Sequence, residues 1–274
     1  MLLAIDVGNT ETVIGLFGDS PMASPDRGFA RATDERGLAY HWRIATKAER
    51  TPDEHALMLS QLLELEGLNV RDTVTAIAIS SSAPTVTTQL RRMAERWFTS
   101  LPLTVLGPGT KTGMPILYEN PREVGADRIA DAVGAHDLYA GALIIVDMGT
   151  ATVFDVVSAA GEYLGGAIAP GVAISLEALY SHASALRSVE LAEPRSVIGR
   201  STAESIQSGV LFGFAGQIDA MVARIRAEIG DCTVIATGGL ATLIAPHTST
   251  ISHVEPWLTL HGLRIVHTRN HSGA

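Results

Sequence analysis

Ile5-Asp6-Val7-Gly8-Asn9-Thr10 and Val146-Asp147-Met148-Gly149-Thr150-Ala151 share one pattern: an apolar strand carries an aspartate into a tight glycine turn lined with hydroxyls. Each is followed by a second β-like run, 12–17 and 152–157, and the two segments lie about half the chain apart. The repetition predicts two similar lobes facing one nucleotide. Gly8 and Gly149 lack a Cβ, so the backbone can turn sharply and approach a ligand, and the N–H groups of such a turn form an anion-binding concavity. Asn9, Thr10 and Thr150 add side-chain donors. A bare carboxylate would repel a triphosphate, so Asp6 and Asp147 imply intervening cations. Mg2+ is the usual one, held through one or two carboxylates and the phosphates themselves.

The rest of the composition narrows the function classes. The chain has 274 residues, 46% of them apolar, enough for two modest lobes with their own cores. A formal charge of -9 argues against a nucleic-acid or membrane-surface footprint, which needs a basic patch. The single cysteine, Cys232, excludes an intramolecular disulfide and a thiolate metal cluster, and reads as a small buried residue in a reducing compartment. The apolar opening breaks at Asp6, too early for a signal peptide, and no other run reaches the roughly 18 apolar residues of a membrane span. A soluble cytoplasmic protein is expected.

Along the chain, 2–7 and 12–17 form a hairpin around the first turn, and 18–38, with Pro21, Pro25, Gly28 and Gly37, reads as a surface loop. A strand at 39–45 precedes a helix opened by Thr51-Pro52-Asp53-Glu54, a capping box with proline at the first helical position. Next come an alternating strand at 73–80, a helix at 84–98 with Arg91, Arg92 and Arg96 on a solvated face, and a short strand at 103–106. Gly107-Pro108-Gly109-Thr110-Lys111-Thr112 superficially resembles a P-loop but lacks glycine directly before the lysine. Residues 124–139 have helical periodicity. Gly165, Gly166, Pro170 and Gly171 read as a further turn before a helix at 172–180. Ser201 and Glu204 suggest a second capping box, opening a helix to about 228 with an apolar stripe of Ile206, Val210, Phe214, Ile218, Met221, Val222 and Ile225. Gly209, Gly213 and Gly216 would let another backbone approach it. A buried strand at 233–236 ends in Thr237-Gly238-Gly239, a turn on which a flat adenine can lie. Strands and helices alternate in both halves, so the fold class is α/β, with lobes at 1–115 and 116–274.

Two clamps predict a nucleoside triphosphate and phosphoryl transfer, which requires positioning, charge neutralisation and a residue to deprotonate the attacking hydroxyl. Asp127 is the candidate base: it opens a helix between small residues, beside Arg128, where the helix N-terminus favours negative charge. The structural alternative is an ordinary acidic first-turn residue, with Asp131 one turn on.

Asp6-Val7-Gly8-Asn9-Thr10, the run from Tyr118-Glu119-Asn120-Pro121 through Gly125-Ala126-Asp127-Arg128, Asp147-Met148-Gly149-Thr150-Ala151, the run from Gly165 to Gly171, and Thr237-Gly238-Gly239 together resemble the type III pantothenate kinase family. The likeness runs from residue 1 to about 245, and 118–128 is its most specific part. It implies a two-lobed actin-like and sugar-kinase-like fold, a duplicated ribonuclease H-like unit, with ATP in the interlobe cleft. It also implies a homodimer with the substrate pocket near the interface, and phosphate transfer from ATP to the primary hydroxyl of pantothenate, the first step to coenzyme A. By position, the resemblance assigns Asp6, Val7, Gly8, Asn9, Thr10, Glu11, Thr12 and Val13 to the first ATP-phosphate clamp, with Mg2+ at Asp6. Thr150 then contacts ATP, Asp147 holds a monovalent cation (K+ or NH4+), and Gly238 and Gly239 lie at the adenine. Asp127 is implied as proton acceptor, and Tyr118, Gly125, Ala126, Asp127 and Arg128 as the pantothenate pocket.

The family's Thr-Ala-x-Leu-Pro loop is Ala183-Ser184-Ala185-Leu186-Arg187 in this chain. Ala183 therefore stands where a threonine contacts substrate, with Ser184 as the neighbouring hydroxyl. That departure leaves two alternatives open: a non-catalytic nucleotide-binding regulatory relative, or a kinase of the same fold acting on another small alcohol.

Overall fold

The computed structural model describes residues 1–18, 36–183 and 186–271, so most of the expected 18–38 loop, and Ser184, lie outside the described residues. In chain order the elements are β1 Leu2–Val7, β2 Glu11–Phe17, β3 Leu38–Ala45, α1 Pro52–Leu65, α2 Val70–Thr73, β4 Ala76–Ser81, α3 Pro84–Trp97, β5 Leu103–Val105, α4 Ala126–Leu138, β6 Leu143–Met148, β7 Ala151–Val157, β8 Tyr163–Pro170, α5 Val172–His182, α6 Thr202–Ile229, β9 Thr233–Thr237, α7 Ala241–Ile244, β10 His253–Val254 and α8 Leu258–His271.

The described residues fall into two compact units. The first comprises Met1–Gly113, Glu119–Gly134 and the chain from Leu258 on; the second comprises Met114–Tyr118 and Ala135–Trp257. This differs from a single cut after residue 115. The C-terminal helix α8 belongs to the first unit because Leu258, Leu260, Leu263 and Val266 are buried on a helix that packs against β1, β2 and β4.

Each unit is built on the same five-stranded sheet, β3-β2-β1-β4-β5 in one and β8-β7-β6-β9-β10 in the other. An antiparallel meander forms one side, and two strands parallel to the central one form the other. The duplication predicted from the two glycine turns is therefore present strand for strand. Asp6 and Asp147 occupy equivalent places near the C-terminal ends of the central strands β1 and β6, where open α/β sheets bind ligands. Both central strands are apolar runs buried on both faces, as strands flanked by parallel neighbours are.

Several local expectations shift. The strand expected from Thr73 begins at Ala76, because Asn69 caps the short helix α2 ahead of it. From Ala76 to Ser80 it is continuously buried rather than alternating, since α3 and α8 both pack against it. Gly165, Gly166 and Pro170 belong to strand β8 and not to a turn; Gly166 is there because a Cβ would lie 1.7 Å from the Phe154 carbonyl oxygen of the adjacent strand.

The capping box at Thr51 forms completely, but the one at Ser201 forms only in half. Ser201 Oγ accepts from Glu204 N, while the Glu204 carboxylate accepts from Arg200 N. On α6 Ile206, Ile218 and Val222 of the expected stripe are buried together with Leu211 and Ala215, while Val210, Phe214, Met221 and Ile225 pack half-buried against the core of the second sheet. Nothing approaches within 4 Å of a Cβ built at Gly209, Gly213 or Gly216, so no described backbone uses them. Among the described residues α6 is the one helix long and apolar enough to cross a membrane by length and composition. Its buried stripe joins the core of the second sheet, where Cys232 is also buried.

Candidate active site

The first glycine turn closes the β1–β2 hairpin, in which Val7 faces Thr12. Gly8 N donates to Glu11 O at 2.9 Å, so this amide shuts the turn and does not contribute to an anion cradle. A Cβ at residue 8 would sit 3.0 Å from that same oxygen, a tight contact. Asn9, Thr10 and Glu11 are exposed at the tip, whereas Thr12 is buried. Asp6 and Val13, paired across the hairpin, are half-buried, and on its other side Asp6 faces Ser80 of β4. The Glu11 carboxylate, a poor neighbour for phosphate on its own, is met by Arg43 at 2.8 Å. Thr46, just past β3, braces the turn: its N–H donates to Thr10 O at 2.9 Å and its hydroxyl to Gly8 O at 2.8 Å.

The second turn is one residue shorter. Met148 faces Thr152, and Gly149 N donates to Ala151 O at 3.0 Å. Two further glycines enclose it. A Cβ at Gly171 would fall 2.2 Å from Thr150 O and 2.7 Å from Gly149 O, and one at Gly238 would fall 2.4 Å from Asp147 Oδ1. Gly238 has φ +90°, a conformation that favours glycine on its own account. Within the second unit the structure thus brings Asp147, Thr150 and the Thr237-Gly238-Gly239 turn into one corner, with Asp147 paired to Thr237. Gly239 is exposed there.

Asp127 lies in the first turn of α4, half-buried. Its carboxylate folds back over Gly125, where a Cβ would be 2.4 Å from Oδ1, and accepts from Arg128 N at 2.9 Å. Ala126 and Arg128 flank it, both half-buried. The helix itself is held by α8: a Cβ at Gly262 would meet Ala130 O at 1.8 Å, and one at Gly134 would meet Leu258 O at 2.8 Å. Buried Asp131 accepts from Thr259 at 2.6 Å, so it serves this helix contact and does not share an exposed face with Asp127.

Tyr118 belongs to the second unit. The segment before it meets β8 through an isolated bridge, with Leu117 N donating to Tyr163 O at 2.8 Å, and the Tyr118 ring lies 3.3 Å from a Cβ built at Gly165. Tyr163 beneath it is fully buried and donates to Asp155 Oδ1 at 2.7 Å. Ala183 is the C-cap of α5, and Leu186 N donates back to its carbonyl. The rejected P-loop look-alike is tied to α8, with Lys111 N donating to Asn270 Oδ1 at 3.1 Å.

Sequence reading missed Thr46, Gly171 as a turn support, the Tyr163–Asp155 pair and Gly262. A threonine directly after the third strand of a hairpin meander was the available signal for Thr46. Gly171 and Gly262 depend on close approaches of other backbone, and the Tyr163–Asp155 pair on the register of β7 and β8.

The oxygen-rich corners suit hard cations. Asp6 and Asp147 stand near the C-terminal ends of their strands, and a Cβ at Gly238 would fall 2.4 Å from Asp147 Oδ1, so any side chain at 238 would fill the space beside that carboxylate.

The sequence profile of the family described as type III pantothenate kinase matches residues 2–224. A type III pantothenate kinase from Streptomyces griseus is 50% identical over 100% of both chains. Among solved structures, a Streptomyces griseus ROK family glucokinase in complex with glucose and AMPPNP aligns with TM-score 0.51 and 12% identity, covering 96% of this chain and 97% of that one. The archaeal actin homolog Ta0583 aligns with TM-score 0.51 and 12% identity, covering 98% of this chain and 99% of that one. These structural likenesses fix the fold as actin-like and sugar-kinase-like.

Proposed function

This chain belongs to the type III pantothenate kinase family, and on that premise we propose how its residues share the reaction. It phosphorylates pantothenate with ATP, the first step of coenzyme A biosynthesis, giving 4′-phosphopantothenate. The primary hydroxyl oxygen attacks the γ-phosphorus, its proton passes to a base, and the bond to the β–γ bridging oxygen breaks to release ADP.

The base is Asp127. What supports this is its place in the first turn of α4, with its carboxylate folded over Gly125 and no side chain between it and the approaching substrate at that glycine. Tyr118, Gly125, Ala126 and Arg128 form the pantothenate pocket, with Ala183 and Ser184 at its loop. Residues 6–13 hold the ATP phosphates, Thr150 touches ATP, and Gly238 and Gly239 lie against adenine. Asp6 holds Mg2+, which neutralises phosphate charge when bound, and Asp147 holds K+ or NH4+. The enzyme works as a cytoplasmic homodimer with the pantothenate pocket near the interface.

A coupled ATP-consumption assay with and without pantothenate and K+ tests the reading. Asp127→Asn is expected to cut kcat by about a thousandfold or more while ATP·Mg still raises the melting temperature. Near-normal turnover in that variant would remove Asp127 from the role of base.

A further inference from the structure

We propose that Thr46 is a positioning residue for ATP, fixing the phosphate-binding turn 8–11 through a directed chain of hydroxyls. The proposal rests on the assignment of that turn to the ATP phosphates. Thr46 stands just past β3, half-buried, and reaches the turn at two points and Thr12 beyond it at a third. Its N–H donates to Thr10 O at 2.9 Å. Its hydroxyl has one proton, given to Gly8 O at 2.8 Å. The 2.8 Å contact between the Thr46 and Thr12 hydroxyls must therefore run the other way, with Thr12 donating to Thr46 Oγ1.

The geometry has a consequence for binding. Gly8 N is already spent on Glu11 O, so the turn is closed at its base and its exposed tip, Asn9 and Thr10, carries the ligand contacts. Thr46 holds the carbonyls of Gly8 and Thr10, which bracket Asn9. Two carbonyls fixed toward Thr46 orient the peptide planes that follow them, and so the N–H groups of Asn9 and Glu11 that can face phosphate. Thr12, buried at 6% exposure, would keep its hydroxyl unmet if Thr46 lost its own. The bracing acts on a loop that binds ATP and on nothing that binds the acceptor alcohol. Its signature is consequently a selective one.

The test compares Thr46→Val, which keeps the shape and removes the hydroxyl, with Thr46→Ser, which keeps the hydroxyl. Thr12→Val, which removes the outer donor of the chain and leaves Thr46 bonded to Gly8 and Thr10, is the milder companion if Thr46→Val folds poorly. In the ATP-consumption assay we expect Thr46→Val to raise KM for ATP about tenfold, equivalent to about 1.4 kcal/mol, with KM for pantothenate within twofold of the wild type. Thr46→Ser should return KM for ATP to within about threefold, and Thr12→Val should fall between. Unchanged KM for ATP in a folded Thr46→Val protein overturns the proposal, as does an equal rise in both KM values or a failure of Thr46→Ser to rescue. The underlying assignment is checked separately by Asn9→Ala at the turn tip and by the ATP·Mg thermal shift of the wild type. If neither responds, the turn does not bind ATP; if both respond and Thr46→Val does not, only the bracing role fails.

Discussion

Thr46 and Gly171 occupy the same topological place, the residue directly after the third strand of each meander and opposite its glycine turn. One supports its turn by reaching across with a hydroxyl, the other by having no side chain, so that Gly149 O and Thr150 O lie against its Cα. The same duplicated scaffold thus holds two similar turns by opposite means. The braced turn is the longer one, with an exposed tip, and the turn in backbone contact is the shorter. The difference bears on the proposal that the first turn receives phosphates and the second a cation, which would then differ in how readily they adapt.

Among variants of the two turns, the largest effect is expected for Gly171→Ala. Its methyl group would fall 2.2 Å from a backbone oxygen, so the turn or α5 must move. An overpacking cost of about 3 kcal/mol and a loss of roughly a hundredfold in kcat/KM are expected, measured by denaturant unfolding and steady-state kinetics. A Gly171→Ala protein with ordinary stability and rate would mean that the second turn is as adaptable as the first.

Next in size is Asp147→Asn, expected to lower kcat by about thirtyfold at saturating K+ and to flatten the K+ dependence. Asp6→Asn should lower activity while leaving the shape of the K+ titration unchanged. Identical K+ profiles in the two variants would erase the distinction between the turns.

The pH dependence separates the two units. In the first unit, burial holds His55 and His267 down to about 4, with Arg50 adding to the effect at His55 and His271 at His267. Each folded value is below the unfolded 6.5, so their stability contribution is intact above pH 6.5 and lost as pH falls toward 4. His55 alone should account for about 2 kcal/mol of that loss once solvent screening is allowed for. His55→Leu should therefore flatten urea stability between pH 6.5 and 4, and an unchanged slope would remove His55 as its source.

The smallest effect is expected in the second unit, at Asp219. Burial raises its pKa, but the hydroxyls and amides of Thr250 and Ser249 outweigh this and leave it lowered. Its contribution is present above the ordinary carboxylate range and lost as pH falls below it. Asp219→Asn should cost about 1 kcal/mol at pH 7 and little at pH 3, read from melting curves at both.

Much of this was legible in the chain. An aspartate followed by glycine at the end of an apolar strand is a local pattern, and its repetition announced two like sheets because strand and turn preferences act over a few residues. Thr51 with Glu54 formed its box for the same reason. The candidate residues 118–128 were likewise readable as a motif, although the structure divides that segment between its two units at Tyr118 and Glu119. Ser201 and Glu204 had the same spacing as the first box and formed only half of it, because Arg200 N competes for the carboxylate. Spacing cannot register such a rival donor.

The sequence by itself determined the α/β class, the duplicated glycine turns, the candidate base and the family. These depend on periodicity, on residues close along the chain and on motif identity. Only the tertiary structure decided that α8 returns to the first sheet, that Gly262 seats it on the helix of Asp127, and that a hydroxyl in one half and a bare Cα in the other support the two turns. Each joins residues far apart in sequence, at Gly262 and Gly171 through backbone approaches that leave no room for a side chain and at Thr46 through one hydroxyl. Such a constraint leaves no period along the chain, and a glycine or threonine alone does not announce what will come to rest against it.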